Sequence, residues 1–279
     1  MQISDVLLLF SISFGASALG GILGMASGIF IVPLLTLFCN LDIHTAITAS
    51  LISVIACSCA GAGAYLKAKL TNFRLAMVLE ISTTLGALTG VLLMGTISDT
   101  FLSILFSATL FLSAFQMYLK RKDPAGNLEV DEKSWGARLG LGGEYVDSHQ
   151  GTVRYSVHNL PLGMFLMYLA GVLSALLGIG SGVLKIPAMD SALKLPIKVS
   201  SATSNFMIGV TAAASAGAYF IRGNIVPEVT GPVVVGSVVG ALIGAKILIS
   251  SSSEKLRTAF VFILVIFGSQ MLYKTLKEL

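Results

Sequence analysis

The chain has 279 residues, 55% of them hydrophobic and only 11% charged, with a formal net charge of +4. Soluble domains carry about 25% charged residues, so this composition excludes a soluble globular protein. Its basic residues form no patch interleaved with aromatics, which excludes a nucleic-acid partner.

Apolar runs fall at about 5–38, 43–66, 73–97 and 100–119, and again at about 160–193, 197–221, 226–250 and 257–276. A helix needs about 20 residues to cross a bilayer. Six runs fit one crossing each. The first run of each set is too long for that and is interrupted by small residues. The interruptions are GMASG at Gly24–Gly28, ahead of Val32 and Pro33, and GIGSG at Gly178–Gly182, ahead of Ile186 and Pro187. Glycine weakens a helix and permits positive φ. Each first run is therefore a bent span, a span plus a re-entrant piece, or two half-helices. Met1–Asp5 carries no basic n-region, so the run after it reads as a retained span rather than a signal peptide.

An offset of 154 residues superposes the two sets without a gap. It matches Gly24 with Gly178, Ser27 with Ser181, Gly28 with Gly182, Pro33 with Pro187, Ser50 with Ser204 and Tyr65 with Tyr219. Duplicated halves around a midplane site are a recurrent transporter plan. The expected fold is an all-α polytopic membrane protein of two homologous repeats. Each repeat has about four transmembrane helices, the first broken at its Gly-rich stretch. Residues 1–120 form the first repeat, 121–159 a polar linker and 160–279 the second repeat. Within the linker, 143–157 alternates around a turn at Ser148–Gly151, the pattern of a small β-hairpin.

Four crossings per half would make the halves parallel. Both termini, the loop near Lys67–Arg74, Arg222 and the linker would then share one face. That face would hold most of the Lys and Arg, and the positive-inside rule makes it cytoplasmic. The expectation is a multi-pass cell-membrane protein with termini and central loop in the cytoplasm. An odd number of crossings would invert the halves.

A helix starting after a break turns its amides and positive dipole end towards whatever precedes it. Gly28 and Gly182 would start such helices, with Ser27 and Ser181 as hydroxyl donors, which makes an anion site. Lys185 lies one turn past Ser181 inside an apolar run. A lysine there costs about 2.5–3.5 kcal/mol on insertion scales, so it needs a cavity, a carboxylate or an anion. Glu80 is the one carboxylate well inside a span, and is expected to pair with Lys185 or to carry a coupling proton. Thr48 and Ser50 in the first half, and Thr203, Ser204 and Asn205 in the second, either bond their own backbone or line a polar path. Tyr65 and Tyr219 read as interfacial anchors. Gly86, Gly90, Gly236, Gly240 and Gly244 read as close-packing positions. Cys39, Cys57 and Cys59 read as small buried apolar residues, and no metal or cofactor is expected.

Together these residues resemble the TauE/SafE sulfite exporter family, also called the four-toluene sulfonate uptake permeases. The resemblance covers nearly the full length. It rests on the two glycine-rich stretches ending in Val32-Pro33 and Ile186-Pro187, on the stretches ending at Ser50 and Ser204, and on the Gly-Ala-Tyr pieces at Tyr65 and Tyr219. Ala26 and Ser27 depart from the usual glycine run. The resemblance implies transport of small sulfur-containing anions such as sulfite or organosulfonates.

The leading expectation is a non-enzymatic secondary transporter working by alternating access. Its substrate site would draw on Gly24, Ser27, Gly28, Ser50, Gly178, Ser181, Gly182, Lys185, Thr203, Ser204 and Asn205. Glu80 would couple transport to H+ or Na+. The expected partners are a small anion, membrane lipid and a coupling ion. The alternatives are a passive anion channel and an intramembrane serine hydrolase built on Ser181, which would need a base.

Overall fold

The computed structural model describes residues 3–23, 27–67, 69–93, 96–119, 135–147, 151–178, 180–221, 225–250 and 253–278. The chain is mostly helical. The first apolar run divides into α1 (Ile3–Leu23) and α2 (Gly28–Phe38). Three long helices follow: α3 (Ile43–Lys67), α4 (Phe73–Leu93) and α5 (Asp99–Leu119). The linker contributes a single turn, α6 (Trp135–Arg138), and two strands, β1 (Gly143–Asp147) and β2 (Gly151–Tyr155). The second set is α7 (Leu160–Leu177), α8 (Gly182–Ser191), α9 (Ile197–Ile221), α10 (Pro227–Ser250) and α11 (Ser253–Glu278). Among the described residues, α1, α3, α4, α7 and α10 are long and apolar enough to cross a membrane. At 11 and 10 residues, α2 and α8 rise only about 15–16 Å, half a hydrocarbon core.

The bundle exposes apolar side chains, and its interior mixes an apolar core with buried polar groups. On α4, Met77, Ile81, Leu85, Leu88 and Leu92 are exposed in one stripe, while Glu80, Ser82, Thr83, Gly86 and Gly90 face inward. Lipid suits such a surface, since it does not penalise exposed methyls and does penalise exposed amides.

Glycines set the closest helix contacts. α4 lies on α7 and α1 on α10. A methyl at Gly86 or Gly171 would overlap the carbonyl of Tyr168 or Thr83, and one at Gly236 or Gly240 would overlap the carbonyl of Phe10 or Phe14. The close-packing reading of Gly86, Gly90, Gly236 and Gly240 holds.

Side-chain contacts give the helix directions. Cys57 reaches Ser17 and Tyr65 reaches Gly21, so α1 and α3 run the same way. Ser58 on α3 bonds the Asn205 carbonyl, while Asn72, just past α3, donates its N–H to Thr203 near the start of α9. α3 and α9 therefore run antiparallel. Asn72 also donates to the Leu141 carbonyl and the Tyr155 hydroxyl, which brings the α3–α4 connection to the linker. At the other face, Lys274 near the end of α11 donates to the Thr36 carbonyl near the end of α2.

The linker and the Lys67–Arg74 loop thus lie at one end of the bundle, and the ends of α2 and α11 meet each other.

The expected hairpin is present: β1 and β2 pair antiparallel, Gly143 opposite Tyr155 and Asp147 opposite Gly151. Its turn lies outside the described residues. Tyr145 and Tyr155 are buried against Leu75, Leu141, Leu160 and Leu193, so the hairpin is docked on the ends of α4, α7 and α8. Burial raises the Tyr155 hydroxyl pKa, with the Asn72 hydrogen bond opposing.

Candidate functional site

α8 opens on an unusual turn. Gly178, Gly180 and Ser181 all have positive φ, at 65°, 72° and 53°. Glycine adopts this region freely, whereas serine is strained there. The counterpart Ser27 at the head of α2 has φ −63°, ordinary helical backbone. Gly24 lies outside the described residues.

Of the opening amides of α8, the Gly182 N–H bonds the Gly180 carbonyl and the Leu184 N–H bonds the Ser181 carbonyl, and the Lys185 N–H makes the first ordinary helical bond, also to Ser181.

Lys185 is fully buried, 0% exposed. Its Nζ donates to Thr211 Oγ1 at 2.6 Å. Thr211 Oγ1 lies 2.6 Å from Glu80 Oε1 and 3.0 Å from the Met207 carbonyl. Glu80 Oε1 also accepts from Thr84 at 3.2 Å. Glu80 Oε2 lies 3.5 Å from Lys185 Nζ, within ion-pair reach, but takes no hydrogen bond among the described residues. One hydroxyl thus stands between a buried cation and a buried anion. The sequence predicted the Lys185–Glu80 partnership. It missed Thr211, whose signal was its place seven residues past Ser204 on the same face of α9.

A second polar cluster lies further round α9, beside Asn205 and Ile208. Ser17, Ser27, Cys57, Ser58, Tyr65 and Asn205 surround a small cavity of about 20 Å³, enough for a water or two. Cys57 Sγ sits 3.7 Å from Ser27 Oγ, 3.6 Å from Ser17 Oγ and 3.2 Å from the Ser237 carbonyl, so it is a polar lining residue rather than an inert filler.

The remaining predicted residues divide between these clusters and the frame. Ser50 Oγ donates to the Gly178 carbonyl at 2.7 Å and holds the start of the α7–α8 turn. Thr203 is occupied by Asn72. Ser181 and Ser204 are fully buried, and their hydroxyls have no hydrogen-bond partner among the described residues. Gly28 is buried at the start of α2. Tyr65 and Tyr219 are not interfacial anchors. Tyr219 is 0% exposed and donates to the Ala175 carbonyl at 2.7 Å, as Tyr65 reaches Gly21 at 3.4 Å.

The model of the family "Sulfite exporter TauE/SafE" matches residues 9–271. The chain belongs to the TauE/SafE family. It is also similar to two proteins of Bacillus subtilis (strain 168). It is 25% identical over 266 residues to the probable membrane transporter protein YunE, spanning 93% of this chain and 94% of YunE. It is 25% identical over 267 residues to the probable membrane transporter protein YdhB, spanning 96% of this chain and all of YdhB. No solved structure matches it. The chain is thus a multi-pass membrane transporter of the TauE/SafE type, and the buried clusters belong to the interior of a permease.

Proposed function

We propose that this TauE/SafE protein is a secondary transporter of small sulfur-containing anions, such as sulfite or organosulfonates, working by alternating access between two repeats. The observation that carries the reading is Lys185. It is a fully buried cation inside a membrane bundle, held by a hydroxyl and one carboxylate. Lysine at such depth is expensive and marks a path for charge. The substrate oxygens draw on Lys185, on the hydroxyls of Ser181 and Ser204, which have no partner among the described residues, and on the cavity beside Ser27 and Asn205.

The packing supports a duplicated and inverted plan. Exchanging α1, α2, α3, α4 and α5 with α7, α8, α9, α10 and α11 carries the main pairings onto themselves: α1 on α10 with α7 on α4, α10 on α3 with α4 on α9, α2 on α3 with α8 on α9. Asn40 and Lys194, 154 residues apart, share left-handed backbone at φ 50° and 53°. Because α3 and α9 run antiparallel, the halves face opposite sides. If the halves then swap conformations, an outward-open site becomes an inward-open one. In this plan α2 and α8 are re-entrant pieces after a Gly-rich break.

The linker face carries Lys67, Lys69, Arg74, Arg138, Arg154, Lys194 and Lys198. The opposite face carries Lys274 and Lys277 among the described residues. The positive-inside rule therefore puts the linker in the cytoplasm and both chain ends outside.

The test is flux of isotope-labelled sulfite, methanesulfonate, sulfate and acetate in vesicles holding the full chain. Saturable flux of the sulfur oxyanions, accelerated by unlabelled substrate on the far side, is expected. Unsaturable conductance would favour a channel, and no flux of any anion would end the reading.

A further inference from the structure

Glu80 and Lys185 leave one question open: how an anion could enter a site whose cation already has a partner. An empty site holding ionised Lys185 and Glu80 is neutral. An arriving monovalent anion would bring its charge to minus one in a low-dielectric interior, where uncompensated charge is costly. Neutrality returns if Glu80 takes a proton. We propose that Lys185, Thr211 and Glu80 form a partner-exchange switch: the anion takes Lys185 from Glu80, Glu80 binds one proton, and one proton crosses with each monovalent anion. This rests on the anion-transport reading above.

The hydrogen bonds around Thr211 serve both states. With Glu80 ionised, Thr211 accepts from Lys185 Nζ and donates to Oε1, 2.6 Å on each side. With Glu80 protonated, the carboxyl donates to Thr211, whose own proton turns to the Met207 carbonyl at 3.0 Å. Neither state strands a buried donor, which is the usual penalty of moving a proton inside a protein. Oε1, the oxygen that already faces Thr211 Oγ1, is where the incoming proton comes to rest. The Glu80 side chain is 11% exposed, whereas that of Lys185 is sealed at 0%.

Neighbouring elements offer no rival to the Lys185–Glu80 pair among the described residues. On α4, Arg74 lies at the helix start, more than a turn before Glu80. On α7, Tyr168 meets α4 through its backbone at Gly86. On α9, Lys198 lies at the start, and Tyr219 near the end is bonded to Ala175. On α8, Asp190 lies more than a turn past Lys185. The proton comes from water on one face, rests on the Glu80 carboxylate and leaves to water on the other. Lysine keeps its proton throughout, and no covalent bond between heavy atoms changes.

The experiment uses the full chain in vesicles with labelled methanesulfonate, which stays ionised at working pH, and a trapped pH dye. Wild type is expected to move one proton per anion. Glu80→Gln is expected to lose proton movement and to make anion flux charge-moving and independent of pH. Thr211→Val is expected to shift the pH profile of flux to higher pH, because the ionised carboxylate loses a charge-assisted donor. Thr211→Ser is expected to restore the wild-type profile, which a purely steric role would not require. Anion flux without protons in the wild type, or an unmoved profile in Thr211→Val, overturns the switch and leaves the transport reading standing. No anion flux at all removes both.

Discussion

Lys185 illustrates how far a single residue can be read from sequence. A lysine in an apolar run must find compensation, and Glu80 was the one carboxylate inside a span able to supply it. The structure joins them through Thr211. Removing one partner of a buried pair strands the other, at a cost of about 3–5 kcal/mol, whereas replacing both with apolar residues is often neutral. Lys185→Met alone is therefore expected to lower the thermal stability of detergent-solubilised protein markedly. The double variant Lys185→Met, Glu80→Leu should recover most of that loss, and additive losses would show that the two do not interact. Thr211 was not legible for a physical reason. A threonine in a span can satisfy itself on its own backbone, and the 3.0 Å contact to the Met207 carbonyl permits that here too. Only the approach of α4 and α8 gives its hydroxyl two further partners.

At the scale of elements, the long helices and the hairpin followed from run length and alternation. Direction is less legible. A 34-residue run with a glycine interruption is compatible with one crossing or with a crossing and a short return, and the two would place everything downstream on opposite sides. The turn ahead of α8 was not legible either, since positive φ at Gly178, Gly180 and Ser181 lets the Gly182 amide bond locally to the Gly180 carbonyl. Helix contacts were more readable. Glycines four apart signalled close approach on α4 and α10, and the backbones do meet there. Gly171→Ala would push a methyl into the Thr83 carbonyl, while Gly217 has nothing within 4 Å of an added Cβ. Gly171→Ala is expected to destabilise by about 1–3 kcal/mol, the usual range for overpacking, and Gly217→Ala to be neutral or slightly stabilising. Equal melting temperatures for the two variants would contradict tight α4–α7 packing.

For the whole molecule, the proposed inverted plan places the linker and both chain ends on opposite sides of the membrane. Single cysteines introduced at Arg138 in the linker and at Lys277 near the chain end, in a background lacking Cys39, Cys57 and Cys59, test it. A membrane-impermeant thiol reagent added to intact cells should label position 277 and spare position 138, and labelling both or neither would contradict the assigned topology. The interior holds a charged cluster at Thr211 and a neutral cavity at Asn205, both bordered by α9, so the two halves do not contribute alike. The central claim is that Lys185 is the group that holds the anion. Its most direct test is calorimetric binding of methanesulfonate to purified wild type and to the charge-neutral double variant Lys185→Gln, Glu80→Gln, which leaves no buried charge unpaired. The double variant is expected to bind at least tenfold more weakly, a difference of about 1.4 kcal/mol. Equal affinity in the two proteins would contradict the account.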